Sequence, residues 1–164
     1  MKYLKISLLW GIFLICSTCF AQNNAKDDYE KFDRNFSSTI NYPVELVRNC
    51  TVTACLLMVQ VDSVKNVIEM NLSDSADSLL NVEFKRHKHS LNTKLLENYL
   101  KTEYANNNCN TYLIPLSYGF HQMSCPSQNI TITLLDNYLK FESKYINGNV
   151  IFLKPIGFLV HIQH

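Results

Sequence analysis

The heptapeptide LLENYLK, Leu95 to Lys101, returns as LLDNYLK at Leu134 to Lys140, and no other feature of the chain limits its fold so strongly. Each copy is followed by a polar loop and an alternating stretch, with PLSY at Pro115 to Tyr118 in the first and PIGF at Pro155 to Phe158 in the second. Agreement in both parts at a nearly constant offset marks a duplicated helix-loop-strand unit. Each of these strands holds a proline, whose missing N–H cannot join a central ladder. Each is therefore expected near a sheet edge, or with its proline where pairing has stopped. The later one, Val150 to Ile162, is apolar on both faces and must be covered to avoid aggregation.

Ahead of the first copy, Tyr42-Pro43 marks a helix start, because proline's fixed φ suits the first turn. Val44 to Asn49 then reads as a short helix ended by Asn49-Cys50. From Thr53 the period switches to two, with Cys55, Leu57, Val59 and Val61 on one face and Leu56 and Met58 on the other. This is a strand buried largely on one side, closing at Val61-Asp62. A turn at Ser63 to Asn66 and the alternation of Ile68, Met70 and Leu72 complete a hairpin. Leu91, Leu95, Tyr99 and Leu100 recur at helical spacing within a stretch from Ser78 to Lys101. The asparagines at 106–108 break that pattern, and Tyr112, Ile114, Leu116, Tyr118 and Phe120 alternate as a strand. The order is helix, hairpin, helix, strand. The expected fold class is α+β: a small, mostly antiparallel sheet packed on one face by helices.

The opening segment, residues 1–21, has Lys2 and Lys5 before an apolar run from Ile6 to Phe20 and then Ala21. The run is shorter than the roughly 20 residues a spanning helix needs, so it reads as a cleaved export signal, with an uncleaved inner-membrane anchor as the alternative. Export places the mature chain in the periplasm or outside the cell. Residues 22–38, QNNAKDDYEKFDRNFSS, are polar and charged with isolated Tyr29, Phe32 and Phe36, a composition expected of a flexible lead-in. The 15 basic and 14 acidic side chains nearly balance, which implies no nucleic-acid partner. What remains is enough for one domain with a real core.

Four cysteines lie beyond the signal: Cys50, Cys55, Cys109 and Cys125. In an oxidising compartment they pair in one of three connectivities or remain as buried free thiols, and their spacing does not choose. The absence of any C-x-x-C, with no histidine close by in sequence, argues against a zinc site. The cluster KRHKH, Lys85 to His89, places two histidines two residues apart. On a helix their rings point away from each other, so a solvated face is expected rather than a metal site. His161 and His164 are expected to be exposed at the chain end. Ser117 and Ser124 lack the glycine elbow of a serine nucleophile. A Cys109 or Cys125 nucleophile with His121 is less favoured than pairing of those two cysteines with each other. The glycines at 11, 119, 148 and 157 are too far apart to cradle phosphate. The chain is therefore expected to be no enzyme and to need no cofactor. The tyrosines and phenylalanines beyond Phe84 read as core rather than a carbohydrate-binding face.

From Ile40 to about Phe120 the chain resembles the C-terminal domain of TonB, the periplasmic energy-transducing protein that engages outer-membrane receptors. The likeness rests on Tyr42-Pro43 at the helix start, Val61-Asp62 at the close of the first long strand, and Pro115-Leu116-Ser117-Tyr118 in the last strand of the unit. Cys50 and Thr53 stand where the family often has glycine, and the hairpin lacks the usual Asp-Gly turn. The resemblance implies a domain over residues 39–122, with residues 123–164 as a repeated extension packed on it. It implies a protein partner, an outer-membrane receptor or envelope complex, engaged by β-strand addition and linked to energy-dependent transport. The corresponding edge is Tyr112, Leu113, Ile114, Leu116 and Tyr118. The strand at Val150 to Val160 is expected to join the sheet and to occupy or replace that edge. The alternative is a secreted ligand-binding or structural protein that has kept the fold without a transport role.

Overall fold

A computed structural model of the chain describes residues 25–51, 53–120 and 136–160. The opening segment, His121, Ser124, Cys125, His161 and His164 lie outside these residues. Residues 25–39 form a helix, α1, which corrects the expectation of a flexible lead-in. Ala25, Tyr29, Phe32, Phe36 and Ile40 recur at intervals of three and four and are all buried. The aromatics are thus one apolar stripe, and the charged residues between them face solvent.

Pro43 leads into α2 (Val44–Arg48) with φ at −57°. The helix ends in a Schellman turn. The Thr51 N–H donates to the Leu46 carbonyl at 2.9 Å and the Cys50 N–H to the Val47 carbonyl at 3.1 Å. Cys50 takes the left-handed position of that turn, with φ at +52°, where glycine is usual. The Tyr42 hydroxyl donates to the Thr51 carbonyl and lies 2.9 Å from Thr53 Oγ1, while its ring stacks on Tyr118 at 4.4 Å. Tyr42 therefore ties the short helix to both β1 (Ala54–Val61), just past Thr53, and β3 (Thr111–Phe120).

Between these strands lie β2 (Val67–Leu72), α3 (Ser78–His87), a 3-10 turn (Lys88–Ser90) and α4 (Thr93–Glu103). Asp77 starts α3 by accepting the Leu79 N–H at 2.8 Å. After β3 come β4 (Lys140–Phe141), β5 (Lys144–Tyr145), β6 (Ile151–Phe152) and β7 (Ile156–Val160). The main sheet runs β2-β1-β3, antiparallel throughout, and then β6 and β7 pair in turn with β3 in parallel.

One face of the sheet, including Leu57, Val59, Met70, Tyr112 and Ile114, packs with Phe32, Phe36, Leu80, Phe84, Leu96 and Leu100 of the helices. The opposite face carries Leu56, Met58 and Leu113, and it is covered in turn by Tyr138, Phe141, Ile146 and Val150. The expected α+β class is thus met, with a second cover that the helices do not supply.

Among the described residues the two copies of the repeated unit diverge. The first LLENYLK lies within α4, whereas the second yields one helical turn at 136–138 among the described residues and enters β4 at Lys140. The strand expected at Val150 to Ile162 is split, with Lys154 and Pro155 in the break between β6 and β7. Pro115 faces that break. Leu56, its partner on β1, turns its N–H and carbonyl to Ser73 instead. The Pro115 nitrogen therefore points to the other side, where Leu153 has made the last β6 bond, to the Leu113 carbonyl at 2.8 Å, and the next pair begins at Leu116 with Ile156. A proline is accommodated inside the sheet because its missing donor meets a gap.

Candidate functional site

β3 is not an outer strand. Tyr112 and Leu113 pair with Ile151 and Phe152, and Leu116 to Phe120 pair with Ile156 to Val160, while β1 holds the other side. The expected open edge at Tyr112, Leu113, Ile114, Leu116 and Tyr118 is therefore corrected to an interior position, and all five side chains are buried. Parallel pairing by the chain's own C-terminal strands uses the backbone groups that an added strand would need.

Cysteine usage also divides. Cys50 is disulfide-bonded. Cys55 and Cys109 are free and buried, the second of the two alternatives left open for them. Burial pushes the Cys55 thiol up to about 12, leaving it protonated and inert. The Cys109 thiol lies 3.1 Å from the carbonyls of Thr111 and Asn149, joining the start of β3 to the segment before β6.

The KRHKH cluster spans the end of α3 and the 3-10 turn. His87 lies 3.4 Å from Glu83, and Arg86 lies 3.5 Å from the same carboxylate. Lys88 leaves the cluster to donate to the Met70 carbonyl at 3.2 Å, and His89 is exposed beside it. No group of three metal-ligating side chains occurs among the described residues, and no described helix is long and apolar enough to cross a membrane.

These contacts draw attention to β2, which among the described residues pairs only with β1. Its outer edge borders a groove of about 280 Å³, walled by Val67, Ile68, Glu69 and Met70 on one side and by Lys88, His89, Leu91 and Thr93 on the other. From Met70 to Ser73 the backbone alternates, whereas a bulge opposite Gln60 and Val61 leaves Ile68 as an extra residue and breaks the alternation before Glu69. Ser73 donates inward to the Leu56 carbonyl, so the even-numbered residue Met70 turns its carbonyl outward, where Lys88 meets it. At the start of the strand the Val67 N–H also points out and is taken by Glu97 Oε1 at 3.2 Å. Ile68 stands 69% exposed on this edge, a large aliphatic side chain with little to cover it.

The hairpin that presents β2 is tied together by the Asp62 carboxylate. Asp62 accepts the N–H groups of Val64 at 3.0 Å and Asn66 at 2.8 Å, and also the Asn66 side-chain amide at 2.9 Å. Those bonds, the Asn66 N–H foremost, hold its carboxyl below the usual carboxylate range. Lys65 sits in the left-handed region, φ +63°, yet is buried. Its ammonium donates to the carbonyls of Asn107 at 2.6 Å and Cys109 at 2.7 Å. The ammonium thus fastens the hairpin turn to the loop before β3. The same turn in other sequences is met by glycine, which supplies the conformation without the anchor.

A second groove, of about 430 Å³, runs between α2 and α3. Val44, Leu79 and Val82 line it and are exposed, with Glu45, Glu83 and Arg86 at its rim. It is bounded by α2, α3 and the Asn41–Pro43 segment ahead of α2, and no strand lines it. In comparisons with protein-family models, characterised proteins and solved structures, nothing matches this chain.

Sequence reasoning placed β2 and KRHKH correctly but did not join them. Ile68 shares the sequence alternation of buried Met70 and Leu72, but the bulge in the β1–β2 pairing breaks that phase and leaves it exposed.

Proposed function

We propose that this chain is an exported, TonB-like protein-interaction module that binds an extended segment of an envelope protein by β-strand addition, without catalysis. The observation that carries the reading is the outer edge of β2, paired among the described residues on one side only and opening on a groove with Ile68 exposed. An arriving strand gains main-chain hydrogen bonds worth roughly 1 kcal/mol each, enough over a few residues for transient association. The order α2, β1, β2, two helices, β3 agrees with the resemblance, and so does the work of Tyr42 in joining α2 to the sheet. The edge differs from the one the resemblance implies, because β6 and β7 fill that position. This filled edge is also the observation that favours the second reading, a secreted binding or structural protein with no link to transport.

A photo-crosslinking amino acid at position 68, with a control at exposed Tyr145, tests the proposal in the native envelope. The expected product at position 68 is an outer-membrane receptor or motor component, absent at position 145 and lost when Met70→Pro alters the β2 backbone in a chain that still folds. Capture of the same protein from both positions, or a product that Met70→Pro leaves unchanged, overturns it.

A further inference from the structure

Two outward-facing backbone groups of β2 are already held by charged side chains: the Val67 N–H by Glu97 and the Met70 carbonyl by Lys88. The two holders differ. Glu97 is buried, and the ammonium groups of Lys94 and Lys101 stand 3.6 and 3.9 Å from its other oxygen. Its carboxylate covers the Val67 N–H, and so marks one end of the stretch open to an added strand. Lys88 is only half-buried and has no carboxylate within ion-pair distance among the described residues. It fills the Met70 carbonyl as a substitute for a strand N–H.

A strand that pairs with Met70 displaces the Lys88 ammonium and leaves it beside the incoming chain. There it meets whatever side chain that chain presents on the helix-facing side, along with His89. Met70 and Leu72 point to the helices, so Glu69 projects from the opposite face and does not neutralise Lys88. Resting on the strand-addition reading, we infer that the β2 groove selects an extended segment with an acidic side chain at the position that meets Lys88, and an aliphatic one against Ile68. A basic residue at the same position sets two like charges together at the edge of a strand pair, where opposite charges are favoured and like charges oppose pairing. The segment spans the stretch from Ile68 to Leu72, bounded at one end by Glu97.

The test uses fluorescein-labelled peptides and the full chain. One peptide alternates valine and threonine with a central aspartate, a second carries lysine in its place, and a third is the aspartate peptide N-methylated at alternate amides. The expected result is that the aspartate peptide binds about tenfold more tightly than the lysine peptide, the size of one well-placed charge pair. Lys88→Glu inverts that order, Lys88→Met abolishes the difference, and the N-methylated peptide does not bind. If the aspartate and lysine peptides bind alike while N-methylation prevents binding, strand addition stands and acidic selectivity is overturned. If N-methylation has no effect, or no peptide binds to a chain whose thermal unfolding is normal, strand addition at β2 is overturned and this inference with it.

Discussion

At position 112 the ring and the hydroxyl make opposite demands on the fold. The ring fills the helix-facing core, with Tyr104 edge-on at 5.5 Å and the Lys65 ammonium 5.6 Å from its centroid. The hydroxyl oxygen is buried with no hydrogen-bond partner among the described residues, and such a group costs about 1–3 kcal/mol in lost hydration. Burial pushes the phenol up to about 12, so it stays neutral. Tyr112→Phe keeps the ring and removes the stranded oxygen, and urea unfolding is expected to show a gain of about 1 kcal/mol. Asp62 behaves in the opposite way, because every bond it accepts favours its charged form. Its folded pKa lies below the unfolded value of about 3.9, so its contribution is complete above that value and is lost as pH falls through the folded one. Asp62→Asn is therefore expected to flatten the acid limb of a stability–pH curve below about pH 4, while a loss at neutral pH remains. Val61-Asp62 was legible as the close of a strand, since an acid after an apolar alternation signals a turn. Lys65 was not, because the left-handed position is normally announced by glycine or asparagine and here is held by an ammonium that finds its carbonyls only in the folded chain.

The β4–β5 hairpin shows what an element does when its turn residues are poor. Glu142 and Ser143 have φ of +51° and +63°, the pairing of a type I′ turn, for which Asn-Gly is the favoured sequence. The turn is held from outside. Asp74, in the loop after β2, accepts the Glu142 N–H at 3.0 Å and the Ser143 N–H at 2.7 Å, and its own N–H donates to the Lys140 carbonyl at 2.7 Å. Replacing Glu142-Ser143 by Asn-Gly leaves all of these backbone bonds and removes two strained residues, so it is expected to raise stability by about 1 kcal/mol in thermal unfolding. Asp74→Ala in that background should cost less than in the original chain, which a double-mutant cycle measures. The same hairpin explains why the repeated heptapeptide misleads. Glu97 in the first copy reaches into the fold to take the Val67 N–H, whereas Asp136 in the second, one methylene shorter, is exposed and pairs with Lys140. Local identity fixed a tendency, and the neighbours decided the element.

Across the whole molecule, α1 is the part that composition hides. Its charged residues lower the average hydropathy of residues 22–38, yet Tyr29, Phe32, Phe36 and Ile40 all belong to the main core. The relevant quantity is phase, not average, because a helix needs only one apolar stripe. Phe32 is fully buried, so Phe32→Ala is expected to cost about 3–5 kcal/mol, a large share of the roughly 5–15 kcal/mol that holds a domain together. A flexible lead-in would lose nothing. The helix also reaches the far side of the sheet, where the Tyr29 hydroxyl donates to the Lys154 carbonyl in the break between β6 and β7. Burial raises the Tyr29 phenol, so the donor persists across the pH range in which the fold is stable. The two C-terminal strands that close the β3 edge are thus latched by the N-terminal helix. Tyr29→Phe removes the latch and leaves the packing ring in place. Amide exchange is then expected to quicken in β6 and β7 and to stay unchanged in β1. Unchanged exchange in β6 and β7 would show that parallel pairing alone holds them.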